Sequence, residues 1–260
     1  MADAELKAGI CRIVESWGFS VTPIPESTSK APDFLAQKDG ASFVFELKEK
    51  IDNIALLAEE RARLEAGEVV SRAEPAGRTN RVSGIVRYGV DQLSSYQAPP
   101  GAFHLLWLHA GGSNAELQME QFRATLYGMT NIFDLDSPHT IRCYYFHHSD
   151  FYRWRDVLVG AVLSTLDHLQ LCLNTASPRI EEFRRSPLVQ TLASGLLDPE
   201  RLEREGSAFI ADCDVDRNQQ GAALRFIQQK YGRSKLMDMN MSKYSARVLV
   251  PKAGIDEGGI

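Results

Sequence analysis

Cysteine is scarce and scattered in this 260-residue chain: Cys11, Cys143, Cys172 and Cys213 stand far apart, with no Cys-x-x-Cys pair. That argues against a disulfide framework or a cysteine zinc site, and the four read as buried, reduced thiols. No uninterrupted apolar run approaches the roughly 18 residues that a membrane-spanning helix needs, and Met1 to Trp17 carries charges instead of the apolar stretch of a secretory signal. The expectation is a soluble, cytoplasmic protein with no membrane partner. A glycine-rich phosphate loop ending in Lys-Ser/Thr is missing, so nucleotide hydrolysis is not expected to drive the protein. Internal repeats and low-complexity tracts are also missing. A net charge of −5 argues against indiscriminate nucleic-acid binding over the whole surface. What is present is enough apolar content, 44% of residues, for one large or two small globular domains.

The most informative stretch runs from Pro32 to Lys48. Asp39-Gly40 is the dipeptide a two-residue type I′ turn prefers, and runs of extended-chain residues flank it. That turn pairs Lys38 with Ala41 and sets Asp33 opposite Glu46, on one face of the hairpin. Lys48 joins that face by period-2 alternation, while Phe34, Ala36, Phe43, Phe45 and Leu47 make the other face apolar. Two opposed carboxylates repel each other, and a divalent cation between them reverses the sign. Mg²⁺, with Mn²⁺ as a substitute, prefers a few carboxylate oxygens together with water and phosphate oxygens. A lysine beside that ion suits metal-assisted phosphodiester hydrolysis.

Pro32-Asp33, twelve residues, then Glu46-Leu47-Lys48 resembles the PD-(D/E)xK nuclease superfamily, the fold group of restriction endonucleases. The resemblance implies that Asp33, Glu46 and the Leu47 carbonyl hold Mg²⁺ and that Lys48 serves the attacking water, leaving 5′-phosphate and 3′-hydroxyl ends. It also implies an α/β fold with an αβββαβ core and a mixed central sheet. The flanking pattern fits that order. Leu6, Ile10, Ile13, Val14 and Trp17 mark a helix over 4–17, and Phe19 to Ile24 alternates as a strand. Glu49 to Glu68 reads as a helix outside the core, Ser83 to Gln97 as the second core helix, and Phe103 to Ala110 as a strand buried on both faces.

Gln92 and Tyr96 lie four apart on that second core helix. They resemble the Gln-x-x-x-Tyr motif of RecB-like nucleases, which implies a Gln92 amide holding phosphate or water and a Tyr96 hydroxyl holding DNA backbone. The superfamily often adds a carboxylate from its first helix, here Glu5 or Glu15.

Residues 1–175 are expected to form the nuclease-like domain, and 176–260 a helical C-terminal subdomain that binds nucleic acid or a partner, including a second copy of the chain. Within the first part, Glu116 to Tyr127 reads as a helix, Thr140 to His147 as an aromatic strand, and Arg153 to Leu173 as a long buried helix. Leu197-Asp198-Pro199 opens a further helix. From Arg217 to Lys252 eight lysines and arginines stand against Asp238 alone, and from Arg72 to Arg87 four arginines against Glu74. These stretches make Arg78, Arg81, Arg87, Arg233, Lys235 and Lys243 the candidate backbone contacts. Asp212, Asp214 and Asp216 alternate and suggest a weaker second cation site, and His147-His148 makes a poor metal pair. The reading is a Mg²⁺-dependent DNA nuclease, an endonuclease of restriction, defence or repair type, with RNA open as a substrate. Its alternative is a catalytically inactive protein of the same fold that binds nucleic acid or assembles with a partner.

Overall fold

A computed structural model of the chain describes all residues except 1, 26–30, 138, 220, 240–243 and 252–260. The chain runs through α1 (Ala2–Ser16), β1 (Ser20–Pro23), β2 (Phe34–Lys38), β3 (Ala41–Lys50), α2 (Ile54–Glu65), β4 (Val70–Pro75) and α3 (Asn80–Ser95). Next come β5 (Phe103–Ala110), α4 (Ala115–Tyr127), β6 (Thr130–Asp134), β7 (Thr140–Tyr144), α5 (Asp150–Arg153), β8 (Leu158–Ser164) and β9 (Leu169–Leu173). The remainder holds α6 (Ile180–Arg184), α7 (Pro187–Thr191), β10 (Leu196–Leu197), α8 (Pro199–Arg204), β11 (Ala208–Ile210), α9 (Ala222–Tyr231), β12 (Leu236–Asp238) and β13 (Tyr244–Leu249).

The principal sheet has the order β1-β2-β3-β5-β8-β9-β10. Its central strands β3, β5 and β8 are parallel, with the antiparallel hairpin β2–β3 on one side and β8–β9 on the other. The fold is therefore α/β with a mixed sheet. Asp39 and Gly40 both have positive φ, 49° and 78°, as a type I′ turn requires, and Phe34 pairs with Phe45 in the expected register. One sheet face packs α1 and α6, the latter through Phe183, over Phe43, Phe45 and Trp107. The other packs α3 and α4, the latter through Phe122, over Val44, Leu106 and Leu108. Every residue of β5 except His104 is buried, which accounts for its continuous apolar run.

Helix ends follow from local chemistry. The Thr79 hydroxyl accepts from the Val82 N–H at the start of α3, and Asp198 caps α8 with Pro199 at its first position. Gly128 ends α4 in the left-handed conformation, where an added Cβ would also strike the His147 carbonyl at 2.5 Å.

Several expectations need correction. Arg153 to Leu173 is not a helix: α5 stops at Arg153, and β8 and β9 form an antiparallel pair. All seven residues of β8 are buried, and a short run buried on both faces lacks the polar stripe that tells strand from helix. The hairpin strand β3 extends to Lys50, so the next helix starts at Ile54, where Asn53 caps it, rather than at Glu49. The aromatic strand ends at Tyr144, because Tyr145 takes a positive φ of 59°.

Nor does position 176 separate two packing units. β10 pairs with β9 in the principal sheet, while β11 and β12 pair with β7 and β6 in a second sheet of order β11-β7-β6-β12. β13 pairs with β4, forming a ribbon that sequence patterning did not anticipate. Among the described residues, no helix is long and apolar enough to cross a membrane.

Candidate metal and phosphodiester site

β3 presents Glu46 and Lys48 toward α3, because Phe43, Phe45 and Leu47 point into the opposite core. Glu46 is fully buried, and Oε1 is in ion-pair contact with the Lys48 ammonium. Neither oxygen accepts a hydrogen bond of normal geometry among the described residues. Burial foremost, and the neighbouring Asp33 carboxylate second, push the Glu46 pKa up to about 8 against the opposing effect of Lys48.

Asp33 precedes β2 at the end of the hairpin ladder. Its backbone N–H donates to the Phe45 carbonyl at 2.9 Å, and its Oδ2 accepts the Leu47 N–H at 2.7 Å. In an extended strand the N–H and C=O of one residue share a side, so the Leu47 carbonyl faces the edge that Asp33 occupies. Oδ1 of Asp33 pairs with Lys7 Nζ at 3.0 Å.

Gln92 ties these parts together. Its Oε1 accepts from Lys48 Nζ at 2.7 Å, and its Nε2 donates to the Ala31 carbonyl at 3.0 Å, two residues before Asp33. The amide holds Lys48 and the loop leading into Asp33, where sequence reasoning expected it to hold phosphate or water. Tyr96 is not on the helix face beside it. α3 ends at Ser95, Tyr96 has extended backbone (φ −87°, ψ 134°), and its half-buried ring packs against the α3–α4 core.

Gly89 permits this approach. A Cβ there would lie 2.5 Å from Leu106 Cδ2 and 3.3 Å from Glu46 Cγ, so α3 rests on β3 at the carboxylate itself. Gly89→Ala is expected to destabilise the protein by about 1–3 kcal/mol through overpacking, outweighing the roughly 1 kcal/mol that alanine gains in a helix. Urea unfolding measures the sign, and a stabilised variant would mean that the helix sits further from β3.

The remaining candidates fall elsewhere. Glu5 and Glu15 are exposed on α1. α1 instead contributes Lys7, through its ion pair with Asp33. Its position three residues before buried Ile10 was the only available signal, and it does not reveal a partner 26 residues away.

Arg81 and Arg87 are exposed on α3, the helix of Gln92, and pair with no carboxylate among the described residues. Arg78, just before that helix, bonds Asn80 and Ser83 in its first turns. In the C-terminal stretch Arg233 pairs with Asp134 at 2.7 Å, Lys235 with Asp136 at 2.7 Å, and Lys230 with Glu203 and Asp212. Arg217 is spent on four backbone carbonyls. The charge excess counted along the sequence is thus largely met by acids and carbonyls from other segments. Lys243 lies outside the described residues.

Asp212, Asp214 and Asp216 diverge, toward Lys230, Tyr152 and Asn218 respectively, and do not share a strand face. His147 stacks edge-on with Phe146 while His148 meets Asn218. All four cysteines are free.

Among the described residues, no group of three or more His, Cys, Asp or Glu side chains is placed to hold a metal ion. The donor set here is two carboxylates and a backbone carbonyl edge. That set suits Mg²⁺, which takes one or two carboxylates and fills its shell with water and phosphate oxygens, and it leaves Glu46 Oε2 an unused buried donor. No family model matches the chain, and no curated protein or solved structure matches it.

Proposed function

We propose that this protein is a Mg²⁺-dependent nuclease that hydrolyses phosphodiester bonds in DNA, an endonuclease built on a restriction endonuclease-like core. The observation that carries the reading is Glu46, a buried carboxylate with an unpartnered oxygen, set beside Asp33 and covered by Lys48. A purely structural strand gains nothing from such a residue. A buried ionisable side chain held against a like charge raises the metal-free energy of the protein and recurs where a cation or a reaction discharges it.

The order α1, β1, β2, β3, α3, β5, with α2 and β4 inserted after β3, supports the same reading. Asp33, Glu46 and the Leu47 carbonyl would hold the cation, which when bound supplies Lewis-acid stabilisation of phosphate charge and a more acidic water. Lys48, fixed by Gln92, is positioned to orient that water and to offset charge building on a phosphate oxygen. Arg81 and Arg87 are exposed cations on the helix that carries Gln92 and would be candidate contacts to DNA backbone.

The test is incubation with single- and double-stranded DNA and RNA in Mg²⁺, Mn²⁺ and Ca²⁺. Cleavage of DNA to 5′-phosphate ends in Mg²⁺ and Mn²⁺, with binding and no turnover in Ca²⁺, is the expected result. Nucleic-acid binding with no cleavage in any metal would instead establish the inactive-fold alternative.

A further inference from the structure

We propose that Lys7 holds the metal position closed in the free protein and passes from Asp33 to a substrate phosphate when cation and DNA bind together. The inference rests on the nuclease reading and adds to it a residue and an order of events.

Of the two Asp33 oxygens, Oδ2 is committed to the Leu47 N–H. Oδ1 is the oxygen left for a cation, and Lys7 Nζ sits on it at 3.0 Å with both side chains about three-quarters buried. Glu46 Oε1 carries the second ammonium, Lys48. Two lysine ammoniums thus stand on the two acids, and an incoming dication must displace or repel both positive charges at short range.

The two lysines are not equivalent. Lys48 is also held by the Gln92 amide, whereas the pairing of Lys7 among the described residues is with Asp33 alone. Lys7 stands on a flexible four-carbon stem, one turn before the point where Ile10 and Val14 anchor α1 to the sheet. It can swing without moving the helix. Lys48 is the fixed cation and Lys7 the displaceable one.

A phosphodiester offers the displaced ammonium a new anion. DNA therefore lowers the cost of releasing Asp33, and by thermodynamic reciprocity the cation strengthens DNA binding through the same residue.

Calorimetric titration of Ca²⁺ into the full chain, with and without a short DNA duplex, tests this, since Ca²⁺ is expected to bind without turnover. Lys7→Gln should tighten Ca²⁺ binding to the free protein about 3- to 10-fold, the scale of a partly exposed ion pair. It should also shrink the factor by which duplex enhances Ca²⁺ affinity, while Lys7→Arg keeps near wild-type values. Arg12→Ala removes the same charge from α1 without touching Asp33 and should leave both quantities unchanged. Wild-type binding that Lys7→Gln does not alter, or that Arg12→Ala tightens equally, overturns the role of Lys7 and leaves the nuclease site standing. If neither wild type nor Lys7→Gln binds Ca²⁺, even with duplex present, both the site and the inference fail.

Discussion

Replacing Glu46 by Gln is expected to lower Mg²⁺-dependent cleavage by about 10³-fold or more while making the metal-free protein more stable at alkaline pH. The first effect follows from removing a charged ligand from a site with two carboxylates, where loss of a single charge-stabilising group already costs on the order of 10²–10³-fold. The second follows from the raised pKa. The unfolded carboxyl releases its proton near the ordinary 4.5, but burial and Asp33 keep it on the folded protein up to about pH 8.

Between those values the folded state binds more protons, so stability declines as pH climbs from about 4.5 through 8. Glutamine has no proton to lose, and that part of the decline disappears. Urea unfolding of both proteins at pH 5, 7 and 9 should show curves that diverge toward high pH, by on the order of 4 kcal/mol, the linkage of a carboxyl whose pKa rises from 4.5 to about 8 on folding. Equal slopes, or a variant that cleaves at the wild-type rate, would falsify the role assigned to Glu46.

Lys48→Ala should slow single-turnover cleavage by about 10²-fold or more, with DNA affinity in Ca²⁺ changed far less. The geometry offers two routes to that loss, and they separate by pH. If Lys48 acts only by keeping Glu46 ionised, its removal pushes the carboxyl further up, and raising pH or Mg²⁺ should restore the rate. If its ammonium, fixed at 2.7 Å from Gln92 Oε1, acts on water and phosphate, the deficit persists at pH 9 and saturating metal. The persistent deficit is expected, because Gln92 fixes a donor that merely neutralising Glu46 would not require. Affinity falling in step with rate would make Lys48 a plain phosphate contact.

The hairpin was legible because Asp39-Gly40 fixes its register from within ten residues of the site, and the apolar alternation of β3 admits no slip. α3 was legible from its helical apolar face and β5 from its continuous apolar run. What escaped depends on partners distant in sequence. β4 has its ladder partner in β13, more than 160 residues on, and its own six residues carry no strand signal strong enough to stand alone.

The β8–β9 pair was mistaken for a helix because Leu158 to Ser164 is buried on every side. Within the site, spacing placed Asp33, Glu46 and Lys48 but not Lys7, whose relation to Asp33 depends on how α1 lies across the sheet edge. Tyr96 was misplaced by a single residue of helix, enough to turn it from Gln92 into the core. Charge counted along the chain misled for the same reason, since Asp134 and Asp136 lie about a hundred positions before the cations they meet.

The β4–β13 ladder also bears on how the chain reaches its final form. β4 lies between α2 and α3, directly upstream of the helix that carries Gln92, and β13 is its neighbour in the two-stranded ribbon. Closing that ribbon joins residues more than 160 positions apart, among the costliest contacts in entropy and therefore among the last to form. During synthesis the principal sheet can assemble from β1 to β9 while β4 remains an open edge, exposed to pairing with other chains until residue 249 emerges.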